Sequence, residues 1–189
     1  MTYNSLFVVL SDHGEILGSH GMTSNNFFFE DSVSVPFLMR LPARIADGTR
    51  VDSPVSTRDL FPTVLDYLEQ PARSGLDSES LRPVIEGDEV RDFAVAEWRP
   101  DRNVPTYMIR SGDWKLLISR LPDADSMDAL YNLATDPHEM DNLLYEGMPA
   151  SDARVAAELK EKLLQWLEDA NSPAVQGVRD RQLPSPSSG

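Results

Sequence analysis

The 189-residue chain has no cysteine, which excludes disulfides and leaves the redox compartment open. Lysine is almost as scarce: Lys115, Lys160 and Lys162 are the only ones, so most of the positive charge is arginine. Positive charge as a whole is outnumbered, 17 basic against 31 acidic residues, for a formal net charge of −14. That balance argues against nucleic acid or an anionic membrane as partner. An acidic, lysine-poor surface fits a salt-adapted host as well as an ordinary acidic protein. No run approaches the roughly 18–20 apolar residues that span a bilayer, and no signal peptide opens the chain. A cytoplasmic location is therefore the default expectation. No repeats are present, and the length suits one ordinary domain, or one plus a small subdomain.

What is present begins at residue 6. Leu6-Phe7-Val8-Val9-Leu10 is continuously apolar and runs straight into Ser11-Asp12-His13-Gly14. An unbroken apolar run of this length predicts a strand buried on both faces, as in a parallel sheet covered by helices. Ligand sites of open α/β sheets gather beyond the carboxyl ends of strands, which is where Asp12 and His13 would stand. Adjacent Asp and His side chains can reach one divalent cation if the backbone leaves its extended path, and Gly14 eases that turn. Either residue could instead cap a helix or brace a loop.

The longer string S-D-H-G-E-x-x-G-x-H-G, residues 11–21, resembles the late metal-binding motif of sulfatases and of related phosphonate and phosphate monoester hydrolases in the alkaline-phosphatase-like superfamily. Residues 29–40 (FEDSVSVPFLMR) are similar to that family's Y-E-E-x-x-R-V-P segment, a short helix feeding a strand, with Ser34 where the family usually has arginine. Residues 55–66 (VSTRDLFPTVLD) resemble its V-S-x-x-D-L-x-P-T-L-L-D helix, and residues 130–143 (LYNLATDPHEMDNL) its C-terminal L-Y-D-L-x-x-D-P-x-E-x-x-N-L signature. The resemblance covers residues 4–168. It implies an α/β fold: the C-terminal part of an alkaline-phosphatase-like α/β sandwich, followed by a small subdomain of antiparallel sheet and helix. It also implies Asp12 and His13 as metal ligands, with calcium foremost and manganese or magnesium as alternatives, and a sulfate ester of a small molecule or saccharide as substrate. In the best-matching relatives a lysine that contacts the sulfate or phosphate stands where this chain has Asn25; Asn25 donates hydrogen bonds but brings no charge. Asn25 and His20 are the candidate substrate-binding residues, with turn and loop-bracing roles as their alternatives.

The same comparison marks what is missing. The family's nucleophile, a Cys or Ser in C/S-x-P-x-R, and its early metal-binding aspartates have no counterpart here, so no catalytic residue is assigned. Group transfer needs a nucleophile in line, a metal and a leaving-group donor. Two side chains bind a hard cation weakly. The expectation is a sulfuric ester hydrolase relative that lacks an N-terminal half and is inactive as an isolated chain, with metal binding weak or absent. The alternatives are a fragment of a phosphonate or phosphate monoester hydrolase, a non-catalytic remnant or binding module, and one half of a split enzyme.

Along the chain, residues 1–90 are expected to belong to the large α/β domain, 91–171 to the small subdomain and 172–189 to a disordered tail rich in Pro and Ser. Leu60, Phe61, Val64, Leu65 and Leu68 form the apolar stripe of a helix that starts at 57–59. Residues 93–98 read as a strand, and residues 107–118 as a hairpin about Gly112-Asp113. Ser151 is the expected cap of a helix reaching Asp169, with Val155, Leu159, Leu163, Trp166 and Leu167 inward. Asp136-Pro137-His138-Glu139 reads as the opening turn of a further helix. Trp98-Arg99 is a further candidate for reaching substrate from the small subdomain.

Overall fold

A computed structural model describes residues 5–25, 27–98, 106–119 and 128–187. The chain divides into two compact units, one of Met1–Phe27 with Asp31–Asp92, the other of Phe28–Glu30 with Phe93–Gly189.

The first unit contains strand β1 (Phe7–Leu10), the short strands β2 (Ile16–Leu17) and β3 (Thr23–Ser24), most of helix α1 (Glu30–Val33), strand β4 (Phe37–Arg40) and helices α2 (Leu60–Tyr67) and α3 (Arg82–Glu86). The apolar run 6–10 forms its strand, but not in the setting its composition predicts. Among the described residues β1 pairs only with β4, and antiparallel, with Val9 opposite Leu38. The pleat then separates two faces. Val8, Leu10, Phe37 and Met39 are half-buried, while Phe7, Val9 and Leu38 are exposed (64%, 45% and 62%). The expectation of a parallel strand buried on both sides is corrected: its apolar composition exceeds what this unit covers.

Helix α2 begins where proline allows. Ser56 caps a 3-10 turn at Thr57–Asp59, and Asp59 returns a carboxylate oxygen to the Ser56 amide at 3.2 Å. Its inward face differs from the expected stripe. Phe61 and Leu68 are exposed, whereas Thr63 and Tyr67 are buried. Polar anchoring decides the orientation: Thr63 Oγ1 accepts the Leu81 amide at 2.8 Å and Asp59 Oδ1 accepts the Glu79 amide at 3.2 Å, fastening α2 to the segment before α3.

The second unit is a four-stranded antiparallel sheet in sequence order, β5 (Phe93–Trp98), β6 (Thr106–Ser111), β7 (Trp114–Ser119) and β8 (Ala129–Asn132), with helices α4 (Ala150–Asp169) and α5 (Val175–Asp180). The β6–β7 turn is Gly112-Asp113, with Gly112 at φ 55°. Alternate residues sort the sheet faces. Val95, Tyr107, Ile109, Leu116, Ile118 and Leu130 form one core with Ala156, Leu159, Leu163 and Leu167 of α4. The other face carries Arg110, Lys115 and Tyr131, neighbours in register across three strands.

Three expectations are corrected here. Helix α4 begins one residue before Ser151, so Ser151 lies inside the first turn and its hydroxyl donates to Asp152 Oδ1 (3.0 Å) rather than capping the helix. Residues 136–139 form turns instead of opening a helix, with Glu139 in the left-handed region at φ 55°. Within the expected tail, residues 173–187 are built into the fold: α5 inserts Val178, fully buried, into the core, and the Gly147 amide donates to Ser185 O at 2.8 Å. Its Pro and Ser content hid a short helix whose Val178, with Ala174 just before it, is buried in the core while Val175 and Leu183 pack against it.

Replacing Val178 by Ala is expected to lower stability by roughly 1.5–3 kcal/mol, from lost burial and a residual cavity. A urea midpoint equal to that of the parent chain would show that α5 is not part of the folded unit. Burial pushes the Tyr131 phenol up to about 12, with the negative charges of Glu139 and Asp136 adding to it. Because the folded value is the higher one, the associated stability is complete below pH 10 and disappears as pH rises from 10 to about 12. An ultraviolet titration of the folded chain checks this; ionisation of all tyrosines near 10 would contradict it.

Candidate functional site

The candidate site is the loop that leaves β1. Ser11 Oγ donates to His13 O (2.8 Å), and the His13 amide donates to Asp12 Oδ1 (3.0 Å). These short-range bonds bend the backbone immediately after the strand and leave Asp12 Oδ2 facing His13 Nε2 at 3.7 Å. Both side chains are open, Asp12 at 87% and His13 at 48% exposure. One divalent cation can span such a pair, since hard-cation oxygen donors sit about 2.3–2.6 Å from the ion. The donor types suit a divalent cation, but the set is short. Among the described residues no group of three or more His, Asp or Glu side chains could hold a metal ion.

The imidazole is held from two sides. His13 Nδ1 lies 2.7 Å from Gly14 O, an acceptor, so the proton belongs on Nδ1 when this bond forms. Asn25 Nδ2 approaches both ring nitrogens, at 3.1 Å to Nδ1 and 3.0 Å to Nε2. With Nδ1 protonated, the amide is a donor to the Nε2 lone pair, and a cation at Nε2 would have to displace it. The structure therefore brings Asn25 to the pair. His20 occupies the tip of the β2–β3 hairpin at φ 55°, between Gly18 and Gly21, in a turn position. Trp98 is partly exposed at the end of β5; Arg99 lies outside the described residues.

Gly14 has a different reason to be glycine from the one its neighbourhood suggests. It is not among the residues of positive φ; what it lacks is room. A Cβ there would stand 2.0 Å from Asp31 O, against backbone that cannot rotate away. The Gly14 amide donates to Ser32 O at 2.7 Å. Buried Ser32 also donates its hydroxyl to Asn25 O at 2.8 Å. Ser32 thus ties together the two residues that flank His13. Nothing in its sequence context marks it, because the link is made across 18 residues to Gly14.

A second charged cluster lies in the other unit. Lys115 has no exposed side-chain surface, and its Nζ sits 2.9 Å from Glu30 Oε1 and 2.7 Å from Glu139 Oε1. Arg110 Nη1 takes the second Glu30 oxygen at 3.0 Å, and Glu139 Oε2 accepts the Glu30 amide at 2.5 Å. Glu139 reaches this place from a loop built on Asp136. Partial burial pushes the Asp136 carboxyl up, but the amides of Asp141, Met140 and His138 outweigh it and hold the group below its ordinary range.

Known proteins sharpen the reading. A family model described as N-sulphoglucosamine sulphohydrolase, C-terminal, matches residues 18–169. An N-acetylglucosamine-6-O-sulfatase of Bacteroides thetaiotaomicron is 30% identical over 179 residues, covering 90% of this chain and 32% of the relative. A choline-sulfatase of Rhizobium meliloti is 30% identical over 188 residues, covering 96% and 35%. A solved structure of a protein in complex with its substrate D-glucosamine-2-N,6-O-disulfate superposes with a TM-score of 0.66 at 26% identity, over 94% of this chain and 35% of that one. The chain spans about a third of the length of these relatives.

Replacing Gly14 by Ala is expected to cost about 1–3 kcal/mol, as forced overpacking does. The loss should appear as a lower melting temperature together with faster exchange of the Gly14 amide. A variant as stable as the parent would show that α1 can retreat from the loop.

Proposed function

Because this chain belongs to the sulfatase family, as the C-terminal portion of its alkaline-phosphatase-like fold, we propose that it supplies two side-chain ligands, Asp12 and His13, to the divalent metal of a sulfuric ester hydrolase. The observation that carries the reading is the exposed Asp12–His13 pair, 3.7 Å apart at the end of β1 and short of a full ligand set. Calcium is the favoured ion, with manganese or magnesium as alternatives. When bound, such an ion supplies charge stabilisation for a transferring sulfuryl group.

What the chain's own residues contribute is orientation. Gly14 O holds the His13 proton on Nδ1, leaving Nε2 as the lone pair beside Asp12 Oδ2. Asn25 marks the substrate side of the loop as a neutral donor, and His20 is the second candidate. The nucleophile and the remaining ligands belong to an N-terminal portion, on the same polypeptide or on a partner. Alone, the chain is inactive and binds metal weakly. Sulfated saccharides are the favoured substrate class, on the strength of the glucosamine sulfatase and the glucosamine disulfate complex among its relatives. A phosphonate or phosphate monoester hydrolase is the second reading, because the S-D-H-G-E-x-x-G-x-H-G motif of residues 11–21 resembles that of those hydrolases as well.

Two assays test this. The isolated 189-residue chain should not hydrolyse 4-nitrophenyl sulfate, and calorimetric titration with CaCl2 should give a Kd in the millimolar range or weaker. Turnover by the pure chain that is abolished by Asp12→Ala would overturn the claim of an incomplete site. Tight calcium binding unaffected by Asp12→Ala and His13→Ala would overturn the ligand assignment.

A further inference from the structure

We propose that Asn25 is a third ligand of the Asp12–His13 cation site, reached by a half-turn of its side chain: the amide nitrogen that bonds His13 gives way to the amide oxygen when an ion binds. The inference rests on the reading of Asp12 and His13 as ligands, and its test separates the two.

The carboxamide stands where a third donor is wanted. Asp12 Oδ2 lies 3.7 Å from His13 Nε2, and Asn25 Nδ2 lies 3.0 Å from it. Two ligands at right angles on one calcium ion, each about 2.3–2.6 Å from it, stand about 3.2–3.7 Å apart. The two separations bracket that span, so an ion held by Nε2 is within reach of both side chains. Only the atom presented is unsuitable. An amide nitrogen donates hydrogen bonds and does not bind a hard cation, whereas the oxygen of the same group is an ordinary calcium ligand. The two ends of a carboxamide have nearly the same shape, and a half-turn about the Cβ–Cγ bond exchanges them.

The loop permits this turn. Ser32 Oγ donates to the Asn25 backbone oxygen at 2.8 Å, which pins the main chain and leaves the side chain its rotation. Asp12, His13, Asn25 and Ser32 all belong to the first unit. Among the described residues none donates to Asn25 Oδ1, so the turn breaks only the contacts with the His13 ring. An ion supplies the driving force. With the Nδ1 proton on Gly14 O, Nε2 gives its lone pair either to the amide or to a cation, not to both. An amide left in place would point its polar hydrogens at a positive charge; turned, it points its oxygen there and frees Nδ2 to donate to an anionic group of a substrate. Three donors still fall short of the six or more that calcium takes, which keeps binding by the isolated chain weak.

The test is an NMR titration of the labelled 189-residue chain with CaCl2. The Asn25 side-chain carbonyl carbon should move downfield, as a carbonyl carbon does when its oxygen binds a cation, with the same midpoint as the His13 ring signals. Asn25→Leu keeps the branched outline without the oxygen and should weaken the calcium Kd at least threefold. Asn25→Asp adds a charged oxygen at the same place and should tighten it at least threefold. The sign is decisive, because a side chain that merely competed with the ion would give tighter binding when lost. An Asn25→Leu chain that binds calcium as well as the parent or better would overturn the proposal. So would an Asn25→Asp chain with no gain, or an Asn25 carbonyl signal that stays in place while His13 shifts. Asp12→Ala tests the underlying reading: if it leaves calcium binding unchanged, or if neither His13 nor Asn25 of the parent responds, both readings fall. If Asp12→Ala weakens binding and Asn25→Leu does not, the third ligand alone is refuted.

Discussion

The second unit is organised around a charge that has no access to water. An ammonium withdrawn from solvent costs several kcal/mol unless carboxylates compensate it, and Lys115 has two beside it: Glu30, which accepts its hydrogen bond at 2.9 Å, and Glu139, whose Oε1 lies 2.7 Å away. Each partner comes from a distant place in the sequence, so the single requirement of neutralising one lysine recruits two loops to one face of the sheet. Glu139 adopts a left-handed backbone to reach it, and Asp136 holds the turn that allows this. Removing the lysine would strand carboxylates; keeping it fixes where 28–30 and 136–141 must lie.

The legible parts of the fold were those with local causes. The Gly112-Asp113 turn, the strand at 93–98 and the start of α2, set by Pro62, follow from residues within a few positions of one another; the short helix feeding a strand at 30–40 was read from the family resemblance. Helix α4 shows its apolar repeat plainly, and only its cap was misread, because a serine one residue inside a helix looks like a serine just before it. The unread parts have non-local causes. Thr63 rather than Phe61 faces inward on α2 because of bonds to residues 79–81. Glu139 reads as the first turn of a helix until Lys115 is seen to need it.

The candidate site divides in the same way. Asp12 and His13 were picked out as candidates by the end of an apolar run together with the family resemblance of the string 11–21. Asn25 entered as a departure from a family pattern, and the structure gives it a contact with the His13 ring that no pattern states. Ser32 and the close approach of Asp31 to Gly14 were invisible, since both are matters of three-dimensional crowding. A glycine after a strand suggests freedom of the backbone; here it records the absence of space for one carbon atom.

The sheet of β1 and β4 offers Phe7, Val9 and Leu38 to solvent in an apolar face, and in a molecule this acidic that face is governed by colloid physics. Water would drive two such faces together, while a net charge of −14 drives the molecules apart. Long-range repulsion opposes contact between such faces, and screening ions or protons act directly on that balance. Near pH 4.5, where the sequence carries no net charge, that repulsion is gone and the apolar face meets no long-range opposition.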